Sequence, residues 1–317
     1  MIESLKALDT IRLNFSPEGL LAINFTLAFI MFGVALEIKV EHFKRILLNP
    51  RTPIIGVISQ FVMLPLVTFA LVIIFNQIIT PSIAMGMILV ASCPGGNISN
   101  FMSAMAKGNT ALSVSLTAFA TLAAIFLTPF NFALWGGLYT NFIGRIDSGT
   151  LLQPLEIDPI QMFQTVFILL GIPLIIGMLF NWKFPALTTK IMKPIRKISV
   201  LLFMVIVILA FLKNYDHFLA HIEFIFFIVL IHNGLALTTG YTFASIFKRN
   251  AADRRTITIE TGIQNSGLAL VLLFNPKIFP PELAIGGMAF IAAWWGIWHI
   301  LSGLGIAYVW SKIPIKK

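Results

Sequence analysis

The chain has 317 residues, 58% of them hydrophobic and 11% charged, with a mean hydropathy of +0.91; this excludes an ordinary soluble domain and describes a polytopic membrane protein. Its 22 basic and 13 acidic residues give a net charge of +9, but the basic residues are dealt out among loops rather than gathered into a nucleic-acid-binding patch. The single cysteine, Cys93, excludes an intramolecular disulfide framework and a cysteine-based metal site, and reads as a small packed residue.

Met1 to Asn14 mixes Glu3, Lys6, Asp9 and Arg12 without an apolar core, so no cleavable signal peptide is expected and the first span inserts itself. Apolar stretches follow at Glu18 to Glu37, Thr52 to Ile74, Pro81 to Ala106, Thr110 to Trp135 and Pro159 to Phe180, then at Ile195 to Leu212, Phe224 to Phe247, Thr256 to Phe274 and Leu283 to Trp310. That makes about nine spans. The runs do not alternate as barrel strands would, so the expected architecture is all-α. Loops after odd-numbered spans carry Lys39, Lys44, Arg45 and Arg51, then Lys107, then Lys183, Lys190, Lys193, Arg196 and Lys197, then Lys248, Arg249, Arg254 and Arg255, and finally Lys312, Lys316 and Lys317. The loop after span four is mixed (Arg145, Asp147, Glu156, Asp158), and Phe75 to Thr80 has no charge. The positive-inside rule then places the C-terminus in the cytoplasm and the N-terminus outside.

Two spans break the rules for a simple apolar rod. The third contains Ser92-Cys-Pro-Gly-Gly-Asn-Ile-Ser-Asn100, where Pro94 removes a donor and Gly95 and Gly96 loosen the backbone, which predicts unwinding. The eighth contains Gly262-Ile-Gln-Asn-Ser-Gly267, with two glycines bracketing polar side chains. Unwound backbone at membrane depth is tolerated where it is buried in protein or lines a watery cavity. Each break lies third in a run of four spans, with the fifth span between the runs, which is the placement an inverted repeat would give and the sequence pointer to a midplane transport site. Helix kinks made only for packing are the plainer reading of either break alone.

Glu260, the only charged residue between Arg255 and Lys277, lies beside the second break. An ionised side chain there costs roughly 2.5 to 3.5 kcal/mol, so it is expected to face a cavity, a partner or an ion path. Hard cations want oxygens, and Glu260, Gln264, Asn100, Ser99, Ser113 and Thr117 supply them; Ser113 and Thr117, four apart, share a helix face. From these residues alone sodium and a proton are equally served.

Read together, Ser92-Cys-Pro-Gly-Gly-Asn-Ile-Ser-Asn100, Ala111-Leu-Ser-Val-Ser-Leu-Thr117, His232-Asn-Gly234, Thr258-Ile-Glu-Thr-Gly-Ile-Gln-Asn-Ser-Gly-Leu268 and Trp298-His-Ile-Leu-Ser-Gly303 closely resemble the bile acid:sodium symporter family over nearly the whole chain. The resemblance implies a bacterial plasma-membrane protein, a monomer, with two crossed discontinuous helices, the third and eighth. It also implies a panel domain of residues 1–38 (helix 1) and 137–213 (helices 5 and 6), and a core of residues 39–136 (helices 2 to 4) and 214–317 (helices 7 to 9). It implies two sodium ions, one held by Ser99, Asn100, Ser113, Thr117 and Glu260, the other by Gln60, Glu260, Gln264 and the backbone carbonyls of Thr261 and Ile263. An organic anion, bile-acid-like or a small carboxylate such as pantoate, would lie near Asn97, Asn265 and His299. The chain departs from the family pattern where Asn97 stands for a usual threonine or alanine, and where Thr261 and Ile263 stand for valine and methionine. It matches the nine-span form, without the extra N-terminal helix of ten-span bacterial relatives.

Sodium-coupled symport by alternating access is thus the expected function, with a proton-coupled or uncoupled carrier or channel on the same scaffold as the alternative. An enzyme is not expected, because Ser99, Ser266, His232 and His299 come without nucleophile-elbow or zinc-ligand spacing. No Walker-type loop is present for ATP drive.

Overall fold

A computed structural model describes residues 17–146, 158–213, 215–280, 283 and 285–315. The segment Met1 to Asn14, most of the mixed-charge loop before Asp158, and Lys316 and Lys317 lie outside the described residues. Every regular element among the described residues is helical. In chain order they are α1 (Pro17–Ala35), α2 (Val40–Leu48), α3 (Arg51–Ile58 and Leu64–Ile74, joined by a π-turn at Ser59–Met63), α4 (Pro81–Ser92), α5 (Ile98–Met105) and α6 (Thr110–Ile146). There follow α7 (Pro159–Val166 and Ile172–Lys183, joined by a π-turn at Phe167–Gly171), α8 (Pro185–Lys213), α9 (Tyr215–Ile246), α10 (Ala251–Gly262), α11 (Ser266–Leu273) and α12 (Gly286–Lys312).

Among the described residues five stretches are long and apolar enough to cross a membrane, namely Arg51–Ile74, Thr110–Arg145, Ile160–Lys183, Ile222–Ile246 and Gly286–Lys312; Asn24–Ala35 and Pro81–Ser92 are shorter apolar helices. Large apolar side chains such as Phe25, Phe126 and Trp182 are 68%, 62% and 80% exposed, which a surface facing lipid tails accommodates. The chain is a multi-pass α-helical membrane protein.

Local sequence explains the boundaries that matter. Thr80 caps α4, accepting from Ile83 N at 3.4 Å, and Pro81 follows at the first helical position. Pro94 ends the helix, since the residue before a proline is pushed out of the helical region: Cys93 is extended, at φ −76°, ψ 160°. Asn250 caps α10 and Asn265 caps α11, each accepting a backbone N–H three residues on.

Three sequence expectations shift. The second break is shorter than the Gly262 to Gly267 interval, because Asn265 caps a new helix that already contains Gly267. The basic stretch Lys190 to Lys197 belongs to α8 and is not a loop, since lysine and arginine are good helix formers whatever their hydropathy. The helix from Thr110 continues past Trp135 to Ile146 and accommodates Pro129 in its interior. The π-turns were not foreseen; each precedes a proline, Pro65 or Pro173, whose missing N–H widens the preceding turn.

α1 packs along α7 and α8, while α4 packs against α6 and α12, and α9 against α10. Gly86 permits one of these approaches: a Cβ there would sit 2.7 Å from Met288 Cα. α2 is a short amphipathic helix against α6, with Leu47 and Leu48 both 77% exposed.

Candidate functional site

The two interruptions lie against each other. Gly96 N donates to Ile263 O at 2.8 Å and Asn265 N donates to Pro94 O at 2.7 Å, so Gly95 and Gln264 face one another as an antiparallel bridge. Backbone groups freed by each break are thereby satisfied by the other, which is what an apolar interior demands. The remaining carbonyl, Gly262 O, accepts from Asn233 Nδ2 at 2.8 Å, and Ser302 Oγ in turn donates to Asn233 Oδ1 at 2.6 Å.

This contact brings Ser99, Asn100, Ser113, Thr117 and Glu260 together. Glu260 is 1% exposed. Its Oε1 accepts from Ser99 Oγ at 2.6 Å and from Ser113 Oγ, and Thr117 Oγ1 lies 3.2 Å from Oε1 and 3.0 Å from Oε2. Asn100 Oδ1 lies 2.9 Å from Ser113 Oγ and 3.2 Å from Thr117 Oγ1. The partners of Glu260 found among the described residues are all neutral hydroxyls. Each hydroxyl has one proton to give, so three protons serve both carboxylate oxygens and Asn100 Oδ1. A crowded, proton-poor set of oxygens with one negative charge suits a monovalent hard cation. Among the described residues no cluster of three or more His, Cys, Asp or Glu exists to hold a metal ion by those groups alone.

The other face of Glu260 looks toward Gln60 and Gln264. A Cβ on Gly95 would stand 2.9 Å from Gln60 Nε2 and 3.2 Å from Glu260 Oε2, so the absent side chain lets amide and carboxylate converge. Gln60, 1% exposed, sits in the π-turn of α3, a feature frequent at functional sites. Gln264 Nε2 donates to Thr261 O at 2.7 Å. Gln60 Nε2 and Gln264 Oε1 are buried without a hydrogen-bond partner among the described residues. Of the carbonyls expected here, Thr261 O thus accepts from Gln264 and Ile263 O from Gly96.

Asn97, Asn265 and His299 line one cavity of about 260 Å³ together with Gln264, Ser266 and Ser199. α1 supplies an apolar wall (Leu27, Met31, Val34) and, at its end, Glu37. Asn97 and Asn265 are the N-caps of α5 and α11, so two helix N-termini open toward this space.

Sequence reasoning missed Ser59, whose Oγ lies 2.8 Å from Thr261 Oγ1 and fastens the π-turn to α10, and Ser103, 3.2 Å from Ser113 Oγ. It also gave Asn233 no role. A hydroxyl or amide inside a charge-free span was the available signal; its partner was not readable. His232 is a packing and hydrogen-bonding residue, 2.8 Å from Thr68 Oγ1 and edge-on to Trp295.

The sequence profile described as the Sodium Bile acid symporter family matches residues 24–221. An uncharacterized sodium-dependent transporter of Bacillus subtilis is 34% identical over 93% of this chain and 84% of its own length. A probable chloroplastic sodium/metabolite cotransporter of Oryza sativa subsp. japonica is 28% identical over 84% of this chain, which spans 62% of that longer protein. A sodium-dependent organic anion transporter of Bos taurus is 28% identical over 99% of this chain and 78% of its own length. The chain belongs to the sodium bile acid symporter family, a family of sodium-dependent transporters.

Proposed function

We propose that the protein is a sodium-coupled symporter of an organic anion, carrying two sodium ions per cycle. Glu260 is shared between them. Ser99, Asn100, Ser113 and Thr117 complete the first site, and Gln60, Gln264 and the carbonyls of Thr261 and Ile263 the second. The observation that carries the reading is a buried carboxylate whose known partners are hydroxyls, set where two helix breaks meet. A carboxylate in such a place is stabilised by a cation, and two sodium ions against one glutamate leave positive charge beside the N-termini of α5 and α11, a field suited to a substrate carboxylate. The anion, bile-acid-like or a small carboxylate such as pantoate, lies in the cavity of Asn97, Asn265 and His299. Similarity to the plant sodium/metabolite cotransporter and the bovine organic anion transporter supports an organic anion as the substrate.

In this reading nine spans form an inverted repeat with the third and eighth crossed. Residues 1–38 and 137–213 make a panel, residues 39–136 and 214–317 the core, and transport proceeds by movement of one against the other. The protein works as a monomer in the bacterial plasma membrane, N-terminus outside and C-terminus in the cytoplasm. Proteoliposome uptake of labelled taurocholate and pantoate under an imposed sodium gradient tests it. Accumulation that collapses when sodium is equal on both sides is expected. Uptake indifferent to the gradient would replace symport with an uncoupled or proton-coupled carrier.

A further inference from the structure

A second cavity, of about 330 Å³, lies away from the anion space; Asp253, Asn109, Ser115, Thr52 and Asn49 line it beside apolar residues such as Ile46 and Leu112. Its walls come from α10, α6 and α3 and from the end of α2. Lys44 and Arg45 on α2 and Lys107 and Arg249 in the flanking loops put basic charge on this side, so under the orientation proposed above it opens to the cytoplasm. Asp253 is 7% exposed, and the side-chain donors found for it among the described residues are the neutral amides Asn109 Nδ2 (2.8 Å) and Asn250 Nδ2 (2.9 Å). Ser115, 2% exposed, lines the same cavity with an Oγ that has no partner among the described residues. A buried carboxylate beside an unsatisfied hydroxyl is an incomplete oxygen shell, the kind a hydrated monovalent cation completes.

The cavity and the Glu260 cluster share helix α10. Asp253 and Glu260 are seven residues apart on α10, on one face and about 10 Å apart along the axis. Between them Thr256 Oγ1 donates to Asn109 O at 3.3 Å, and Ser103 Oγ meets Ser113 Oγ at 3.2 Å beside Glu260. Gly108 packs between them: a Cβ there would fall 2.7 Å from Thr256 Oγ1 and 3.0 Å from the backbone Ser103 O, so the absent side chain lets the chain approach α10 closely. Arg249 holds the rim through Thr52 Oγ1 at 3.2 Å, a positive charge that keeps any ion in the cavity weakly bound.

We propose that this cavity is a cytoplasmic vestibule in which Asp253, with Ser115, holds sodium transiently as it passes between the Glu260 cluster and the cytosol. The proposal rests on the sodium-symport reading. A station beside the pathway changes how fast the ion enters and leaves while leaving equilibrium occupancy of the main sites nearly unaltered. A purely structural Asp253, closing the first turn of α10, would instead lower stability and binding together.

Rapid filtration of the immobilised full-length protein loaded with ²²Na⁺ separates these. Asp253→Asn is expected to bind ²²Na⁺ at equilibrium within about twofold of wild type while releasing it about fivefold more slowly. Glu41→Gln, which removes an exposed negative charge on α2, is expected to leave both unchanged. Unchanged release in Asp253→Asn, or binding that falls in step with melting temperature, overturns the vestibule. Should Asp253→Asn not fold, Ser115→Ala decides: release slowed about twofold supports the proposal, and unaltered release overturns it. Wild-type binding lost in Glu260→Gln, with normal release in both vestibule variants, sinks the vestibule alone; no ²²Na⁺ binding by wild type sinks symport with it.

Discussion

On one side of Glu260 three hydroxyls, those of Ser99, Ser113 and Thr117, all reach the carboxylate, and Asn100 closes the set behind them. On the other side lie two amides only partly engaged: Gln60 Nε2, a donor, and Gln264 Oε1, an acceptor, are buried with no partner among the described residues. Burying a polar atom unpaired costs about 1 to 3 kcal/mol, so the amide side holds unspent binding capacity where the hydroxyl side is already built. In the two-sodium reading proposed above, the difference makes one carboxylate serve two unlike sites. The first is assembled by the fold itself, from the start of α5, the N-terminal turns of α6 and the last turn of α10. The second depends on what enters it.

Short of removing Glu260, the largest effect is expected from dismantling the hydroxyl side. Hydrogen bonds to charged groups contribute about 1.5 to 3 kcal/mol each, so Ser113→Ala with Thr117→Ala should raise the sodium midpoint by roughly a hundredfold or more, read from sodium-dependent melting. Gly95→Ala acts on the amide side by steric means. Its methyl would press on Gln60 Nε2 and Glu260 Oε2, and a more than tenfold loss of sodium affinity with little change in sodium-free stability is expected from the same titration. Gln60→Ala removes one neutral ligand, with an expected cost of about 0.5 to 1.5 kcal/mol. If the amide side holds a separate ion, the sodium Hill coefficient of transport should also fall toward one. Ser59→Ala is the smallest: loss of the Thr261 contact should cost about 1 kcal/mol of stability and leave the sodium midpoint unmoved. Equal losses from the hydroxyl and amide variants would erase the distinction between the two sides.

Much of this was legible in the sequence because breakage and burial leave local marks. Pro94, Gly95 and Gly96 announced the first interruption, and Gly262 the start of the second. Glu260 stood out because no other charge lies near it in the chain. The partners of Ser59 and Asn233 were not legible. A serine in an apolar helix bonds its own preceding turn as readily as a distant helix, and only the packing of α9 against α10 places Asn233 under Gly262 O. The π-turn at Gln60 was hidden for a related reason: Pro65 signals a disturbed ladder without saying how the turn before it relaxes. Where α6 ends and α8 begins was misjudged because polarity marks the membrane boundary and not the helix end.

The central claim, that Glu260 holds sodium, is tested most directly by thermal unfolding of the purified protein across a sodium titration, with choline keeping ionic strength constant, for wild type and Glu260→Gln. A ligand that binds only the folded state stabilises it by roughly 2.7 kcal/mol at a hundred times its Kd. Wild type should show a saturating, sodium-specific rise in melting temperature, and Glu260→Gln, isosteric but uncharged, should show none. A well-folded Glu260→Gln protein that sodium stabilises as strongly as wild type would contradict the account.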